Sequence, residues 1–393
     1  RGMKRHARAL FTPTLYDAVM RHLYQADHAE HAGAILCGVH RTRGRLTLTA
    51  RRFIPATDGV DYIVTNEGHG RLQPLFVHNA ISQAAEERLV YVGVHNHFSD
   101  CQVAFSKVDL ASHQRAYPTY LSLARGMPVG AAVFGRRSLE LDIWLPDGGR
   151  LSLDTARILG HGVRHLWSGP AQAPTEPYNE AFDRQLPFLR AGGQGLLRQA
   201  KIGIIGLGGI GSQLIEPLAR VGIRHFVLID PDRLELSNYS RVHGALPIDL
   251  PCGTTPGTQK VEMAKRLIHK INPAAIVTAL PDDVAHGDAH RALLDCDFAF
   301  LAADTAEARF VCNAVSNQFF VPMTQVGTKI VIAPDGTLQR VFGVVRQIRP
   351  GSGCLWCNNL VDRAALANSA KPKTRRIVEK YGAQTPSPAV VTF

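Results

Sequence analysis

Two histidines separated by a single residue follow a short apolar stretch in the first half of the chain. Residues 89–94 read Leu-Val-Tyr-Val-Gly-Val, which is typical of a buried strand, and His95 and His97 come directly after them. Side chains at positions i and i+2 of a strand project to the same side, so both imidazoles can reach one metal ion. Asp109, at the start of a predicted helix, can supply an oxygen ligand. Two histidines, a carboxylate and a fourth position left for water form a typical ligand set for catalytic zinc.

A glycine-rich turn in the second half of the chain has the spacing of a phosphate-binding loop. The segment Gly206-Leu-Gly208-Gly209-Ile-Gly211 lies between a predicted strand over 201–205 and a predicted helix over 212–220. Glycine there permits a tight turn and close approach of the backbone to phosphate, and the helix N-terminus offers unpaired N–H groups. Asp230 ends the next predicted strand, where a carboxylate can hold ribose hydroxyls. These residues predict a nucleotide site, and an NAD-dependent oxidoreductase fits them as well as an ATP-using enzyme does.

A third motif, Cys354-Leu-Trp-Cys357, contains two of the seven cysteines of the chain. The number is odd, the spacing is irregular, and the N-terminal residues are followed by no apolar signal segment. We therefore expect free thiols in a reducing, cytoplasmic compartment and no disulfide framework. A single CxxC is half of a four-thiolate zinc site, and it also contains candidate nucleophiles.

Composition limits the classes of function. The chain has 393 residues, of which 45% are hydrophobic and 20% are charged, which is ordinary for a globular protein with a sizeable core. No apolar run is long enough to cross a membrane. The net charge of +11 is spread over both halves of the chain, without a basic tail, so an anionic small ligand accounts for it as well as nucleic acid does.

The order of predicted elements divides the chain in two. Residues 1–165 combine a helix with several β-rich runs and predict an α+β domain. A proline-rich linker is expected over 166–177. Residues 178–393 alternate strand and helix, which predicts a Rossmann-like, doubly wound parallel sheet, and we expect this domain to continue beyond Phe393. The predicted class is therefore α/β overall.

The second domain resembles the ThiF/MoeB superfamily and the ubiquitin-activating enzymes. The resemblance rests on the glycine-rich turn, on the polar loop Asp230-Pro-Asp-Arg-Leu-Glu-Leu-Ser-Asn-Tyr-Ser-Arg241, on Gln259-Lys260 before a helix, and on Asp304 after a strand. It implies that the domain uses ATP and Mg²⁺ to form an acyl-adenylate on the C-terminal glycine of a ubiquitin-like or sulfur-carrier protein.

The resemblance also implies a role for each matching residue. Arg241 and Lys260 would lie along the phosphates, with Asn238 donating hydrogen bonds to them. Asp304 would hold Mg²⁺, and Asp230 the ribose. Positive charge is needed because a carboxylate attacking the α-phosphate of ATP brings two anions together.

Further implications concern partners and the cysteines. Arg184 would reach the triphosphate across a homodimer interface. Cys354 and Cys357 would either complete a structural zinc site with a second CxxC or supply a nucleophile that takes the adenylate to a thioester. This sequence has no second CxxC pair.

The first domain resembles the JAB/JAMM metalloproteases, whose fold is cytidine-deaminase-like. The resemblance rests on His95, His97, Ser106 and Asp109, and it implies Zn²⁺ bound by the two histidines and the aspartate. Glu30, ahead of an early strand, would be the general base, and Ser106 would stabilise the oxyanion.

Together the two resemblances imply a JAMM isopeptidase fused to a ubiquitin-activating-type adenylyltransferase. Such fusions occur in bacterial ubiquitin-like conjugation systems, some of them associated with antiviral defence, which implies a conjugating-enzyme-like partner. The alternative is activation of a sulfur carrier in thiamin, molybdopterin or cysteine biosynthesis, with a processing or non-catalytic JAMM domain. A dinucleotide oxidoreductase and a non-catalytic scaffold are the other classes considered. A membrane or nucleic-acid partner is not expected.

Overall fold

The computed structural model of the chain describes residues 6–27, 29–42, 45–64, 70–169, 179–333 and 335–369. The chain divides into two compact units, residues 1–172 and 173–393. Leu166 lies in the last strand of the first unit and Trp167 bridges to Ser138, so this unit extends past the predicted boundary at 165. Residues 170–178, which include most of the predicted linker, lie outside the described residues.

The first unit consists of three helices and ten strands among the described residues. In chain order they are β1 (His6–Phe11), α1 (Pro13–Leu23), β2 (Ala32–Thr42), β3 (Arg45–Pro55), β4 (Tyr62–Val64), β5 (Gly70–Leu72), α2 (Pro74–Glu86), β6 (Val90–Asn96), α3 (Lys107–Leu123), β7 (Val129–Phe134), β8 (Leu139–Trp144), β9 (Arg150–Leu159) and β10 (Val163–Leu166).

Eight of these strands form one curved sheet in the order β1-β3-β2-β6-β7-β8-β9-β10. An additional parallel pairing of β1 with β9 closes the sheet on itself, while β4 and β5 form a separate hairpin. Closure removes edges at which unpaired N–H and C=O groups would be exposed. The predicted α+β class agrees with this arrangement.

One part of the core of the first unit lies between the closed sheet and α1, and another lies between the sheet and helices α2 and α3. Helix α1 begins after Thr12, whose hydroxyl accepts a hydrogen bond from the Leu15 N–H at 3.3 Å, and it buries Tyr16 on its inner face. The Tyr16 ring packs edge-on against Phe11 at 6.0 Å between centroids, and Phe11 packs in the same way against Phe134 at 6.2 Å. These aromatic contacts hold α1 against β1, at one end of the sheet order, and link β1 to β7 near its middle.

The second unit has the strand–helix alternation that its sequence predicts. Its elements are α4 (Leu186–Gln199), β11 (Lys201–Ile205), α5 (Gly211–Arg220), β12 (His225–Ile229), α6 (Lys260–Ile271), β13 (Ile276–Leu280), β14 (Phe298–Leu301), α7 (Ala306–Phe319), β15 (Met323–Ile332), β16 (Leu338–Ile348) and α8 (Arg363–Ser369). The sheet order is β13-β12-β11-β14-β15-β16. The first five strands are parallel and β16 is antiparallel, so the predicted Rossmann-like α/β fold is confirmed.

A buried ion pair fixes the long connection between β12 and α6. Both guanidinium Nη atoms of Arg266 donate to the Asp249 carboxylate, at 2.6 and 2.5 Å, and the Leu246 N–H donates to it at 2.8 Å. Asp249 is 1% exposed. The Arg266 hydrogen bonds hold the pKa of Asp249 below its usual range, against the opposing effect of desolvation. This connection carries the predicted nucleotide-contacting residues, so the ion pair helps to place them.

Within the described residues, every helix is too short or too polar to cross a lipid bilayer.

Replacing Arg266 tests the contribution of this ion pair to stability. We expect Arg266→Met to lower the free energy of unfolding at neutral pH by about 2 kcal/mol, because it removes charge-assisted hydrogen bonds from a buried carboxylate. The pKa of Asp249 is lower in the folded than in the unfolded state, so this stabilisation is present above the unfolded value of about 3.9 and is lost as pH falls through the folded value. Urea unfolding at neutral and acidic pH measures both effects.

The matched control is Lys265→Met on the same helix, because Lys265 forms its ion pair with exposed Glu262, at 3.8 Å. It should change stability by about 0.5 kcal/mol or less. A stability loss in Arg266→Met that stays constant as the pH falls would contradict the assignment to Asp249.

Candidate metal centre and nucleotide site

Three of the residues predicted to bind zinc meet at the end of β6. His95 Nε2 lies 3.3 Å from His97 Nε2, and the Asp109 oxygens lie 3.5 Å from His95 Nε2 and 3.6 Å from His97 Nε2. All three side chains are about one-fifth exposed. Ligands placed tetrahedrally at the usual Zn–N and Zn–O distances are separated by about 3.3 Å, so the spacing of the trio fits a zinc ion.

The position of Asp109 is set by the start of α3. Ser106 caps this helix: its hydroxyl accepts from the Asp109 N–H at 3.1 Å, and its own N–H and hydroxyl donate to Asp109 Oδ2, each at 2.7 Å. Burial alone raises the pKa of Asp109, but hydrogen bonds and charge from His95 together with the Ser106 hydrogen bonds hold it well below its usual range. Asp109 is therefore an ionised ligand at neutral pH.

Glu30, the predicted general base, lies beside this trio. Its Oε1 is 3.9 Å from His97 Nε2, and its side chain is 35% exposed. The pairing of β2 with β6 places Ala32 opposite His95, so the residues just ahead of β2 lie next to the histidines. The structure thus brings Glu30, His95, His97, Ser106 and Asp109 together.

Two supporting residues escaped the sequence analysis. The Tyr24 hydroxyl lies 2.8 Å from the His97 carbonyl oxygen and 2.9 Å from that of Phe134, which joins the end of β6 to β7. His113, one helical turn after Asp109, is buried with Nδ1 3.2 Å from Asp142 Oδ2. Its position four residues after a candidate ligand was the only signal in the sequence, whereas Tyr24 gave none.

The glycines of the glycine-rich turn differ in the room around them. At Gly206 and Gly211 the fold leaves no space for a side chain, whereas Gly208 faces open space. A Cβ on Gly211 would lie 1.8 Å from the Gly206 carbonyl oxygen, and one on Gly206, whose φ is +85°, would lie 2.7 Å from the Ala303 nitrogen. A Cβ on Gly209 would meet Arg241 at 3.5 Å or more, and one on Gly208 would have nothing within 4 Å. Gly208 therefore faces open space, which leaves room for a ligand group beside the turn, as a phosphate site requires.

Asp230 fastens this turn in place. Its Oδ2 accepts from the Leu207 N–H at 2.6 Å and its Oδ1 from the Asp232 N–H at 2.9 Å, with the residue 5% exposed. Burial raises the pKa of Asp230, with the Lys260 charge acting in the opposite direction. In the structure Asp230 therefore holds the glycine-rich turn by accepting a hydrogen bond from the backbone of that turn. A contact between Asp230 and ribose stays a prediction.

The predicted phosphate-contacting cations lie around the same turn. Lys260, at the first turn of α6 and 7% exposed, donates from Nζ to Asp232 Oδ2 at 2.7 Å and lies 4.0 Å from Asp230 Oδ1. Arg241, against Gly209, donates from Nη1 to the Ser237 carbonyl at 2.6 Å. Cations held this close to a glycine-rich turn suit a polyphosphate ligand.

The remaining predicted nucleotide residues occupy different positions. Asn238 is buried and donates from Nδ2 to Ser237 Oγ at 3.2 Å. Asp304 is exposed, directly after the Ala302–Ala303 backbone that contacts Gly206. Arg184 is exposed ahead of α4, and this chain alone does not show it in the site.

The two cysteines of the CxxC motif lie with their sulfur atoms 3.2 Å apart. The Cys354 sulfur also accepts from the Cys357 N–H at 3.3 Å. Burial raises the pKa of Cys354, but hydrogen bonds from Cys357, Asn313 and Trp356 outweigh it and lower the pKa below the usual value. A lowered thiol pKa suits both a zinc ligand and a nucleophile, so both interpretations stay open.

Comparison with known proteins identifies the second unit. The model of the ThiF family matches residues 182–393, more than half of the chain. The chain belongs to the ThiF family.

Relatives of this ThiF-family chain are similar over part of their length. The SAMP-activating enzyme E1 of Haloferax volcanii is 29% identical over 156 residues, which is 38% of this chain and 55% of that protein. The adenylyltransferase and sulfurtransferase UBA4 of Kluyveromyces lactis is 30% identical over 32% of this chain and 27% of its own. The tRNA threonylcarbamoyladenosine dehydratase of Haemophilus influenzae is 37% identical over 23% of this chain and 32% of its own. The chain thus spans about half or less of these relatives.

Among solved structures, E. coli MccB aligns with a TM-score of 0.39 and 20% identity, over 56% of this chain and 58% of that one.

Exchanging Gly208 for alanine tests the nucleotide cradle. We expect Gly208→Ala to fold with nearly unchanged stability, because its Cβ meets no protein atom, and to bind ATP at least about tenfold more weakly because the Cβ enters the ligand space. Thermal unfolding and calorimetric titration with ATP measure the two effects. Gly343→Ala, also in open space but on β16, is the control and should bind ATP normally. Unchanged affinity in Gly208→Ala would place the nucleotide elsewhere.

Metal content tests the histidine–aspartate trio. We expect His97→Ala to contain one zinc ion fewer per chain than the purified wild-type protein, because two remaining ligands cannot hold the ion tightly. Elemental analysis gives the ratio, and His286→Ala, an exposed histidine of the second unit, is the control. Equal zinc content in His97→Ala and wild type would mean that the trio is only a hydrogen-bonded cluster.

Proposed function

We propose that the second unit uses ATP to adenylate the C-terminal carboxylate of a ubiquitin-like or sulfur-carrier protein. The observation that carries this proposal is that Arg241 lies against Gly209 of the glycine-rich turn, while Lys260 lies 4.0 Å from Asp230, the carboxylate that holds this turn. Membership of the ThiF family supports adenylation over dinucleotide oxidation. Activating enzymes for modifier proteins recur among the relatives and support this class of substrate.

In the proposed reaction the carboxylate oxygen of the terminal glycine attacks the α-phosphorus of ATP. The bond from that phosphorus to the bridging oxygen of pyrophosphate breaks, and pyrophosphate leaves. Lys260 and Arg241 lower the repulsion between the two anions and neutralise the leaving group. Asn238 donates hydrogen bonds to phosphate oxygens, Asp304 would hold Mg²⁺, and Asp230 keeps the turn in place.

The proposal extends to the assembly of the chain and to what becomes of the adenylate. Arg184 would complete the site of a second copy of the chain in a homodimer. Conjugation through a conjugating-enzyme-like partner, as in a bacterial defence system, would leave the carrier on protein lysines, whereas sulfur transfer would leave a thiocarboxylate. Mass spectrometry of the carrier separates the two fates. Cys354 and Cys357 would bind structural zinc or, alternatively, form a thioester.

We further propose that the first unit is a JAMM-type zinc peptidase that cleaves after the C-terminal glycine of the same class of carrier. Zinc in such a site polarises the scissile carbonyl and activates water. Glu30 would take the proton from the attacking water and pass it to the leaving amine. Ser106 now donates to Asp109, so an oxyanion role would require its hydroxyl to turn away from that carboxylate. The spacing of the trio and the nearby Glu30 support this assignment.

Loss of Lys260 tests the adenylation proposal. We expect Lys260→Ala to reduce ATP–pyrophosphate exchange driven by a β-grasp protein ending in Gly-Gly by about 100-fold or more, because a buried cation beside the phosphates is removed. Lys265→Ala, one turn away and half-buried, should exchange like wild type. Exchange that survives Lys260→Ala in a folded protein would refute the assigned site, and NAD binding without exchange would favour an oxidoreductase.

Exchange of Glu30 tests the peptidase proposal. We expect Glu30→Gln to keep its zinc and to lose about 100-fold or more of kcat on a fluorogenic amide of a Gly-Gly peptide, because the general base becomes an amide. Glu87→Gln, at an exposed helix end, is the control. A wild-type protein that holds zinc yet cleaves no Gly-Gly amide or extended carrier would favour a docking role for this unit.

A further inference from the structure

Glu30 lies beyond the part of β2 that strand pairing holds. The hydrogen-bonded register of β2 with β6 ends with Ala32 opposite His95. Glu30 and His31 precede this pair, so backbone pairing between the two strands does not fix them. The His31 N–H therefore needs a partner outside this strand pairing.

Asn96 supplies such a contact from the residue between the two histidines. Because side chains alternate along a strand, Asn96 points away from the face that carries His95 and His97. Its side chain is fully buried, and Oδ1 accepts a hydrogen bond from the His31 N–H at 2.7 Å. The peptide group between Glu30 and His31 is therefore tied directly to the segment that carries both imidazoles.

The side-chain nitrogen of Asn96 differs from its oxygen, which accepts the hydrogen bond from the His31 N–H. Among the described residues Asn96 Nδ2 has no hydrogen-bond partner. A buried donor without a partner costs about 1–3 kcal/mol, which an apolar residue of similar size would avoid. That residue would, however, leave the buried His31 N–H without its acceptor, so the hydrogen bond to the His31 N–H is the contact that an asparagine supplies here.

The His31 ring anchors the same segment from its other side. Its Nε2 lies 3.0 Å from both oxygens of Asp27, and its Nδ1 lies 3.8 Å from Asp58 Oδ1. Asp27 and Asp58 therefore face different nitrogens of the His31 ring, and together they hold this buried imidazole in place. With the backbone tied by Asn96 and the ring by Asp27, little freedom remains for the residue just ahead.

We propose that Asn96 is a positioning residue that holds Glu30 at its working distance from the metal ligands. This inference rests on the proposed peptidase function. Through the His31 N–H, Asn96 sets the backbone position from which the Glu30 carboxylate comes within 3.9 Å of His97 Nε2. A displacement of about 1 Å in such a group can cost about 100-fold in rate.

The first test uses cobalt as a probe and needs no substrate. Co²⁺ bound in place of zinc has visible absorption bands that respond to groups around the ion. Glu30→Gln should shift these bands, Asn96→Leu should shift them in the same direction, and Asn96→Asp, which keeps the acceptor oxygen, should leave them at the wild-type position. Asn96→Ala serves in the same way if the leucine variant does not fold.

The second test uses cleavage of the fluorogenic Gly-Gly amide by the full chain. Asn96→Leu should keep its zinc content and KM and lower kcat by about 10- to 100-fold. In the Glu30→Gln background, Asn96→Leu should cause no further loss, because it acts only through Glu30. Asn96→Asp should restore most of kcat.

The outcomes separate this inference from the function on which it rests. A wild-type protein that takes up neither Zn²⁺ nor Co²⁺ would refute the peptidase proposal and the role of Asn96 with it. If wild type binds metal and cleaves the peptide, cobalt bands that move in Glu30→Gln but not in Asn96→Leu would refute the positioning role alone. Equal kcat losses from Asn96→Leu with and without Glu30 would do the same.

Discussion

The pairing of β2 with β6 is the constraint on which the candidate metal centre depends. It ends at Ala32 and His95, so the strand pair delivers one segment ahead of β2 and one after β6 to the same place. Beyond this pairing, side chains form hydrogen bonds with the backbone of both segments. Asn96 Oδ1 accepts from the His31 N–H, and the Tyr24 hydroxyl donates to the His97 carbonyl. The histidines stay paired with β7 on their other side, where the His97 N–H donates to the Phe134 carbonyl at 2.9 Å, so their geometry is held while they face a ligand.

The second unit uses the end of a sheet in a different way. Parallel strands place their carboxyl ends at one edge, so the turns after β11, β12 and β14 lie side by side. A carboxylate after β12 accepts N–H groups from the turn after β11, and the turn after β14 packs against Gly206. The distant Asp249–Arg266 pair then fixes the long connection that carries Lys260 to this edge.

The two candidate sites have opposite electrostatics that suit opposite ligands. The first gathers carboxylates and imidazoles, the donor set of a cation. The second gathers a lysine, an arginine and helix N-termini around a glycine-rich turn, which favours a polyphosphate anion. A carrier protein ending in glycine would be a common substrate, with its terminal carboxylate activated at one site and an amide at that same terminus cleaved at the other. In this proposal Lys260 and Arg241, which contribute to the net charge of +11, would bind the phosphates of ATP.

Local pattern did not predict α4, β15 or β16, but it predicted the strands and the two main helices between residues 201 and 302, and it singled out the residues that could do chemistry. The reason is that these signals lie within a few residues of one another. They are the glycine-rich turn, the histidines at i and i+2, and Ser106 three residues ahead of Asp109. Sequence did not predict the closure of the first sheet, the partners of Asp249, or the contacts of Tyr24 and Asn96. The contacts of Tyr24 and Asn96 join positions far apart in the sequence, 24 with 134 and 31 with 96, and the register of paired strands brings them together. Asp249 instead meets Arg266 where α6 packs against the connection that precedes it. The sequence thus determined the chemistry available, and the tertiary structure decided which groups meet, because strand register and packing set every distance between them.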